Sequence, residues 1–124
     1  VIANRTLSRA RELLQRFSTD GVIKTCEYAD VKTGSADIII NGTSAGLQGE
    51  LPPLNPAVLG GTTCYDMVYA DKDTIFVEWA KSNGAIKAID GLGMLVEQAA
   101  ESFRIWRGVQ PDTGAVIEVL GNKS

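Results

Sequence analysis

The feature that most constrains the fold is the segment 36–40, which ends in three consecutive isoleucines and leads into a polar, flexible loop at 41–46. A strand with one solvated face alternates apolar with polar residues. A strand of a parallel sheet is instead covered on both faces and is apolar without alternation. The segment therefore predicts a buried strand of a parallel sheet.

Strand-like and helix-like segments alternate along the rest of the chain. Apolar residues at helical spacing predict helices at 7–17, 75–82, 91–107 and 114–120. Short apolar segments predict further strands at 1–3, 22–27, 63–68 and 85–89, and a helical turn at 55–59. Asp20 and Gly21 are expected to end the first helix. This alternation predicts an α/β domain with a mostly parallel sheet and helices on both faces.

Composition narrows the class of protein. The 124 residues suffice for one domain with a buried core. No apolar run approaches the roughly 20 residues of a membrane span, and three early arginines interrupt any signal-like stretch. Cys26 and Cys64 lie in predicted strands, which indicates reduced thiols and a cytoplasmic protein. The net charge of −3 argues against nucleic-acid binding, and the lack of histidine predicts no metal site.

The turn after the first predicted strand carries positive charge. In dinucleotide-binding sheets, an acid at the end of the second strand binds the ribose 2′-hydroxyl of NAD and repels the 2′-phosphate of NADP. Here Asn4, Arg5 and Thr6 occupy that position, and Arg9 follows in the first turn of a helix whose N-terminus adds positive charge. The turn therefore predicts NADP as the cofactor. The alternative is that the arginines are exposed and unused, and that Thr6 only caps the helix.

The glycine-rich pyrophosphate loop of such a domain is not found. The only near match to G-x-G-x-x-G begins at Gly91 and has Val96 where a small residue is needed, so we reject it. The true loop is expected upstream of Val1. We therefore predict an incomplete Rossmann-type domain spanning 1–124, without its first strand, glycine-rich loop and first helix. Since that strand is central in the order 3-2-1-4-5-6, its neighbours would have unpaired edges, and we expect a closed-up, swapped or partner-completed sheet.

Several stretches together resemble the shikimate dehydrogenase family, and they cover nearly the whole chain. They are Asn-Arg-Thr-Leu-Ser-Arg-Ala at 4–10, Asn-Gly-Thr-Ser-Ala-Gly-Leu at 41–47, Cys-Tyr-Asp-Met-Val-Tyr at 64–69 and Asp-Gly-Leu-Gly-Met-Leu-Val-Glu-Gln-Ala-Ala at 90–100. The last two stretches are specific to the family. The first is shared with other dehydrogenases and with glutamyl-tRNA reductase-like domains.

The resemblance implies roles for individual residues. The residues expected to bind the adenosine 2′-phosphate and ribose of NADP are Asn4, Arg5, Thr6 and Arg9. Thr43, in the loop that follows the predicted strand 36–40 and corresponds to the family's loop after its fourth strand, is also expected to bind the cofactor. Met67 and Gly91 are expected to contact the nicotinamide. Tyr69 and Gln98 are expected to contact the substrate. The alternatives are that Met67 fills the core, that Tyr69 is an ordinary strand-end aromatic, and that Gln98 lies on a solvent face.

The resemblance also implies an activity, the reduction of 3-dehydroshikimate to shikimate with NADPH in aromatic amino-acid biosynthesis. In the family a Lys–Asp pair on an N-terminal domain handles the proton, so we assign no catalytic residue to this chain. The C-terminal helices, at about 91–124, are expected to pack toward that domain. We expect the chain alone to be inactive, and we keep a homodimer as a candidate assembly.

Two other interpretations remain open. One is a quinate/shikimate dehydrogenase that uses either cofactor, although its turn would be expected to carry an acid. The other is a non-catalytic nucleotide-binding or interaction domain built on an incomplete Rossmann sheet.

Overall fold

The computed structural model describes residues 1–19 and 21–121, and within them five strands form two parallel sheets. In the smaller sheet β1 (Ile2–Ala3) pairs with β2 (Thr25–Cys26). In the larger sheet β3 (Ile38–Asn41), β4 (Thr63–Asp66) and β5 (Lys87–Ile89) lie in that order, with β4 central. The predicted parallel α/β architecture is confirmed.

Helices connect the strands. They are α1 (Leu7–Arg16), α2 (Ile75–Ser82), α3 (Leu92–Arg107) and α4 (Thr113–Gly121), with 3₁₀ turns at Tyr28–Asp30, Ala45–Gln48 and Pro56–Leu59. Helix α2 has the predicted bounds because its end signals are local. The Thr74 hydroxyl accepts from the Val77 amide at 3.2 Å, and Gly84 has a φ of +82° just beyond the helix.

Some boundaries differ from the predictions. Strand β2 is limited to Thr25–Cys26, and Val22, at the start of the predicted strand, is exposed. The loop predicted to be flexible at 41–46 contains the start of a 3₁₀ turn. Asp20 and residues 122–124, which belong to our predictions for the end of α1 and for the C-terminal helices, lie outside the described residues.

The hydrophobic core lies between β4 and α2. Leu59, Cys64, Phe76 and Ala80 are completely or almost completely buried there, and the rings of Phe76 and Trp79 pack with their centroids 5.9 Å apart. Both cysteines are free thiols: Cys64 is in the core and Cys26 is half-buried. Helix α2 thus anchors the larger sheet, while α1 packs against β1 and β2.

The two sheets do not close onto each other. No strand pairing in the described part of the chain joins β1 or β2 to β3. A cleft of about 1150 Å³ separates them, lined by β1 and β2 on one side and by β3 on the other. The expected closed-up sheet is therefore wrong for this structure, because each sheet is held by its own helix and the edges of β1 and β3 stay apart.

Strand β3 is covered on one side only. Ile39 packs against the core, whereas Ile38 and Ile40 point the other way and are 62% and 64% exposed. The burial expected for β3 on both faces is therefore not found at Ile38 and Ile40, which the described residues leave exposed. Across residues 1–19 and 21–121 no helix is both long enough and apolar enough to cross a membrane.

Candidate functional site

The carboxyl ends of β3, β4 and β5 meet at one edge of the larger sheet. Asn41 pairs with Asp66 in the register of the sheet. The segments after these strands remain joined, because the Met67 amide donates to the Asn41 carbonyl and the Gly91 amide donates to the Val68 carbonyl, each at 3.0 Å. Three of the predicted cofactor residues, Thr43, Met67 and Gly91, follow these strand ends. Ligands of parallel α/β sheets bind at this edge.

Gly91 lies directly against the main chain of Met67. A Cβ on Gly91 would be 2.9 Å from the carbonyl carbon of Met67 and closer still to its oxygen, so only glycine fits. Gly91 also precedes α3, and its carbonyl accepts from the Leu95 amide at 3.0 Å. The absence of a side chain thus allows the N-terminus of α3 to lie beside the end of β4.

The Met67 side chain points away from the core. It is 46% exposed, and its sulfur would be 3.2 Å from a Cβ placed on Gly42. The alternative that Met67 merely fills the core is therefore wrong. Its side chain lies beside the loop after β3, where it can contact a ligand.

A network of buried polar side chains lies beneath this edge. Asp66 is fully buried, and its carboxylate accepts from the Asn41 amide group at 3.2 Å, from the Val68 main-chain N–H at 3.2 Å and from the Thr74 hydroxyl at 2.6 Å. Asn41 and Thr74 are also buried. In turn, the Asn41 side-chain oxygen accepts from the Thr43 amide at 3.1 Å and the Thr43 hydroxyl at 2.8 Å.

Asn41, Asp66 and Thr74 were not singled out in the sequence. One signal was present: Asn41 and Asp66 are polar residues at the ends of strands that are otherwise apolar or half apolar, where strand burial would disfavour them. Thr74 also directly precedes a predicted helix, which is the pattern of a capping residue. Only the fold shows that these three side chains meet.

The turn after β1 has the exposure that an anion site needs. Asn4 accepts from the Thr6 amide at 2.8 Å, which shapes the turn. Arg5, Thr6 and Arg9 are all exposed, and no ion pair within the described ranges involves either arginine. The Thr6 side chain makes no capping bond to α1, so the alternative that it serves only as a cap is wrong. The guanidinium groups and the hydroxyl are accessible to a ligand.

The cleft between the two sheets connects this turn to the larger sheet. Asn4 lines it on one side, and Asn41, Gly42 and Thr43 line it on the other. Two of the predicted cofactor residues, Asn4 and Thr43, therefore face one continuous space.

The two predicted substrate residues have fewer contacts with the other predicted site residues than those residues have with one another. Tyr69 is 52% exposed just beyond β4, and Gln98 is exposed on α3. Gln98 is seven residues after Gly91, which is two helical turns, so both lie on the same side of the helix. The structure leaves both side chains accessible but does not bring them into contact.

Known proteins resemble this chain in sequence and in fold. A family model described as the shikimate 5′-dehydrogenase C-terminal domain matches residues 91–120. The chain is 57% identical, over 97% of its length, to the shikimate dehydrogenase (NADP(+)) of Alkalilimnicola ehrlichii, and it spans about 44% of that protein.

Solved structures show the same relationship. The chain resembles an Ael1 enzyme from Pseudomonas putida with a TM-score of 0.86 and 43% identity, covering 96% of this chain and 44% of that one. It resembles the shikimate 5-dehydrogenase of Thermus thermophilus, solved in complex with NADP(H) and shikimate, with a TM-score of 0.78 and 29% identity. That match covers 98% of this chain and 45% of that one.

Proposed function

This chain is a relative of the C-terminal part of NADP-dependent shikimate dehydrogenases, and we propose that it forms the cofactor-binding part of such an enzyme. The observation that carries the proposal is the exposed turn after β1. It presents Arg5, Thr6 and Arg9 at the N-terminus of α1 without an acidic partner among the described residues. A 2′-phosphate is the group of NADP that such a turn recognises and that NAD lacks.

In this proposal the adenosine end of NADP binds at the turn. The planar guanidinium groups of Arg5 and Arg9 suit a phosphate, and the N-terminus of α1 adds its positive potential. Asn4 and the Thr6 hydroxyl supply further polar contacts to the phosphate and ribose. The cleft then leads from Asn4 to Thr43, toward the strand ends of the larger sheet.

The nicotinamide end of NADP lies at Thr43, Met67 and Gly91. When bound, NADPH supplies the hydride for the carbonyl of 3-dehydroshikimate, and the protein orients the reactants. Here Met67 offers an exposed apolar surface for the ring. Gly91, whose missing side chain lets the start of α3 pack against the Met67 main chain, holds this part of the edge in place beside the ring.

Shikimate and 3-dehydroshikimate are the proposed substrates, with Tyr69 and Gln98 as their contacts on this chain. The Gln98 amide carries both a donor and an acceptor, which suits a ring with several hydroxyl groups. Both side chains are exposed here, as expected for a site completed by another domain. No catalytic proton-transfer residue is assigned to this chain.

The partner that completes the site is a substrate domain of the same protein. The chain spans about 44% of its relatives' length, so a longer enzyme would supply that domain. The C-terminal helices offer apolar side chains to such a domain: those of α3, α4 and the connection between them that are exposed include Ile105, Trp106, Val109, Val119 and Leu120. Exposed apolar side chains on consecutive elements are typical of an interface. The same longer chain would place a strand in the cleft between β1 and β3.

Two finer expectations accompany the proposal. Free Cys26 and Cys64 are compatible with a reducing compartment, so we propose the cytoplasm as the location. A homodimer is kept as a candidate assembly of the complete enzyme. Light scattering of the complete protein measures its mass, and a monomeric mass would remove the homodimer from the proposal.

The function is tested with the complete protein that contains this chain. Purified enzyme is assayed for reduction of NADP⁺ or NAD⁺ with shikimate or quinate, each varied separately. We expect the highest kcat/KM for shikimate with NADP⁺. Comparable rates with quinate, or with NAD⁺, would favour the quinate/shikimate alternative. NADP binding without oxidation of either substrate would favour a non-catalytic nucleotide-binding domain.

A further inference from the structure

Asp66 has no role in the proposed function, although its carboxylate is buried beneath the proposed site. It is fully buried at the carboxyl end of β4, on the same side of the strand as the core residue Cys64. None of its three hydrogen-bond donors is a charged group. Burying a carboxylate is costly, and an apolar residue of similar volume would often suit a core better. The position of Asp66 therefore calls for a role beyond stability.

The two oxygens of Asp66 bind three different segments. Oδ1 accepts from Asn41 at the end of β3 and from the Val68 amide beyond β4, and Oδ2 accepts from Thr74 at the start of α2. Asn41 is 25 positions from Asp66 in the chain, whereas Val68 and Thr74 follow Asp66 by 2 and 8 positions. One buried group thus fixes their relative positions.

Two of the three bonds connect Asp66, through a second hydrogen bond, to residues of the proposed site. The Asn41 side-chain oxygen holds both the amide and the hydroxyl of Thr43. The Val68 carbonyl accepts from the Gly91 amide, so the turn held by Asp66 in turn holds the start of α3. Through these contacts, Asp66 connects to each of the three segments proposed to face the nicotinamide.

We propose that Asp66 is a positioning residue, which holds the Asn41–Thr43 turn and the Met67–Val68 turn in the geometry that receives the nicotinamide end of the cofactor. The inference rests on the proposed function for its effect on catalysis. The structural part of the proposal is that Asp66 orders the two turns, and this ordering can be measured without any cofactor.

Asp66→Asn is the sharpest variant because it keeps the shape of the side chain. Its amide oxygen can still accept from Asn41 and Val68, but its NH₂ group must then face Thr74 and cannot accept the Thr74 proton. Thr74→Val removes the same bond from the other side, together with the bond that caps α2, and Thr74→Ser restores the hydroxyl that makes both. If Asp66→Asn folds poorly, the comparison of Thr74→Val with Thr74→Ser tests the proposal instead.

Thr62→Val is the matched control. Thr62 is also buried, and its hydroxyl donates to the Leu59 carbonyl at 2.7 Å. It precedes the opposite, amino end of β4 and has no hydrogen bond to the network. Its substitution removes a hydrogen bond of a buried hydroxyl group. The variant therefore shows how far the loss of any such bond changes the exchange rates and kcat/KM.

The experiment uses the complete protein and two readouts. Hydrogen–deuterium exchange without cofactor follows the peptides that contain Thr43 and Val68. Steady-state kinetics gives kcat and the KM for NADPH, at a temperature well below every variant's unfolding midpoint. We expect Asp66→Asn and Thr74→Val to speed exchange in both peptides and to lower kcat/KM about 10- to 100-fold, because small misplacements of reacting groups are that costly. Thr74→Ser should recover most of the loss, and Thr62→Val should change neither readout.

The outcomes separate the inference from the proposed function. Exchange and kcat/KM in Asp66→Asn that match those of Thr62→Val would overturn the positioning role, whatever the unfolding midpoints. Exchange that accelerates only in Asp66→Asn and Thr74→Val, in a protein without dehydrogenase activity, would support the ordering of the turns and contradict the proposed function. Faster exchange with unchanged kcat/KM in an active enzyme would overturn the link to catalysis.

Discussion

The Cα of Gly91 lies against the main-chain carbonyl of Met67, with space for a hydrogen atom but not for a methyl group. The contact joins the N-terminus of α3 to the end of β4, and the Gly91 amide adds a hydrogen bond to the Val68 carbonyl. Both residues belong to the edge proposed to receive the nicotinamide. The packing of the chain and the shape of the site are therefore determined by the same contact.

Replacing Gly91 with alanine is expected to displace Met67 or the start of α3. The new methyl group meets main-chain atoms, which cannot rotate away, so we expect a loss of about 1–3 kcal/mol in the free energy of unfolding, typical of overpacking. A shift of the nicotinamide subsite should also lower kcat in the complete enzyme. Denaturant unfolding and steady-state kinetics measure the two effects.

Gly93→Ala is the control for this variant. Gly93 lies in the same helix, and a methyl group added there would meet no atom within 4 Å. Its substitution should therefore be neutral or should stabilise the helix by up to about 1 kcal/mol. Equal stabilities and rates for the Gly91 and Gly93 variants would contradict the importance of the close approach.

Arg5→Ala is expected to reduce the preference for NADP over NAD. A hydrogen bond from a cation to a phosphate contributes roughly 1.5–3 kcal/mol, so the ratio of the two kcat/KM values should fall about 10- to 100-fold, mainly through NADP. Kinetics of the complete enzyme with both cofactors gives this ratio.

Arg11→Ala provides the comparison, since Arg11 is an exposed arginine inside α1 and lies on another face of that helix than Arg9. It should leave the ratio unchanged. A ratio that is unaffected by Arg5→Ala, or affected equally by both variants, would remove the turn from the cofactor site.

The chain of residues 1–124 alone is expected to show no shikimate-dependent reduction of NADP⁺. It holds neither the proposed proton-transfer groups nor a glycine-rich pyrophosphate loop, and the cleft between its two sheets is open. Its NADP affinity, measured by calorimetry, should be weak. Turnover by this purified chain would show that the groups needed for the reaction are already present in it.

Trp106→Ser should have different consequences in the isolated chain and in the complete protein. Trp106 is 77% exposed here, so its loss should cost the isolated chain little. If the substrate domain covers it in the complete protein, the same change removes a buried aromatic side chain and should cost about 3–5 kcal/mol. Thermal or denaturant unfolding of both proteins provides the comparison.

Ile86→Ser serves as the reference for that experiment. Ile86 is 79% exposed and precedes β5, away from the C-terminal helices. It should have little effect in either protein. A complete protein that tolerates Trp106→Ser as well as Ile86→Ser would contradict the packing of α3 and α4 against the substrate domain.

Much of the fold followed from local sequence patterns. The bounds of α2 were predictable because Thr74 and Gly84 signal the start and end of that helix through bonds and angles within a few residues. The parallel sheet predicted from the isoleucines of β3 is present, although Ile38 and Ile40 are exposed in this chain. The positive turn after β1 was also visible, because its residues are consecutive and their charges do not depend on distant neighbours.

The sequence by itself thus determined the alternation of strands and helices and the chemistry of the turn at Asn4. Only the tertiary structure decided that Asp66 joins Asn41 to Thr74, that Gly91 touches Met67 and that two separate sheets flank an open cleft. The physical reason is the separation along the chain between the residues that determine each feature. Helix ends and charges depend on neighbours in the chain, whereas these contacts depend on how strands pair and how their ends come together in space.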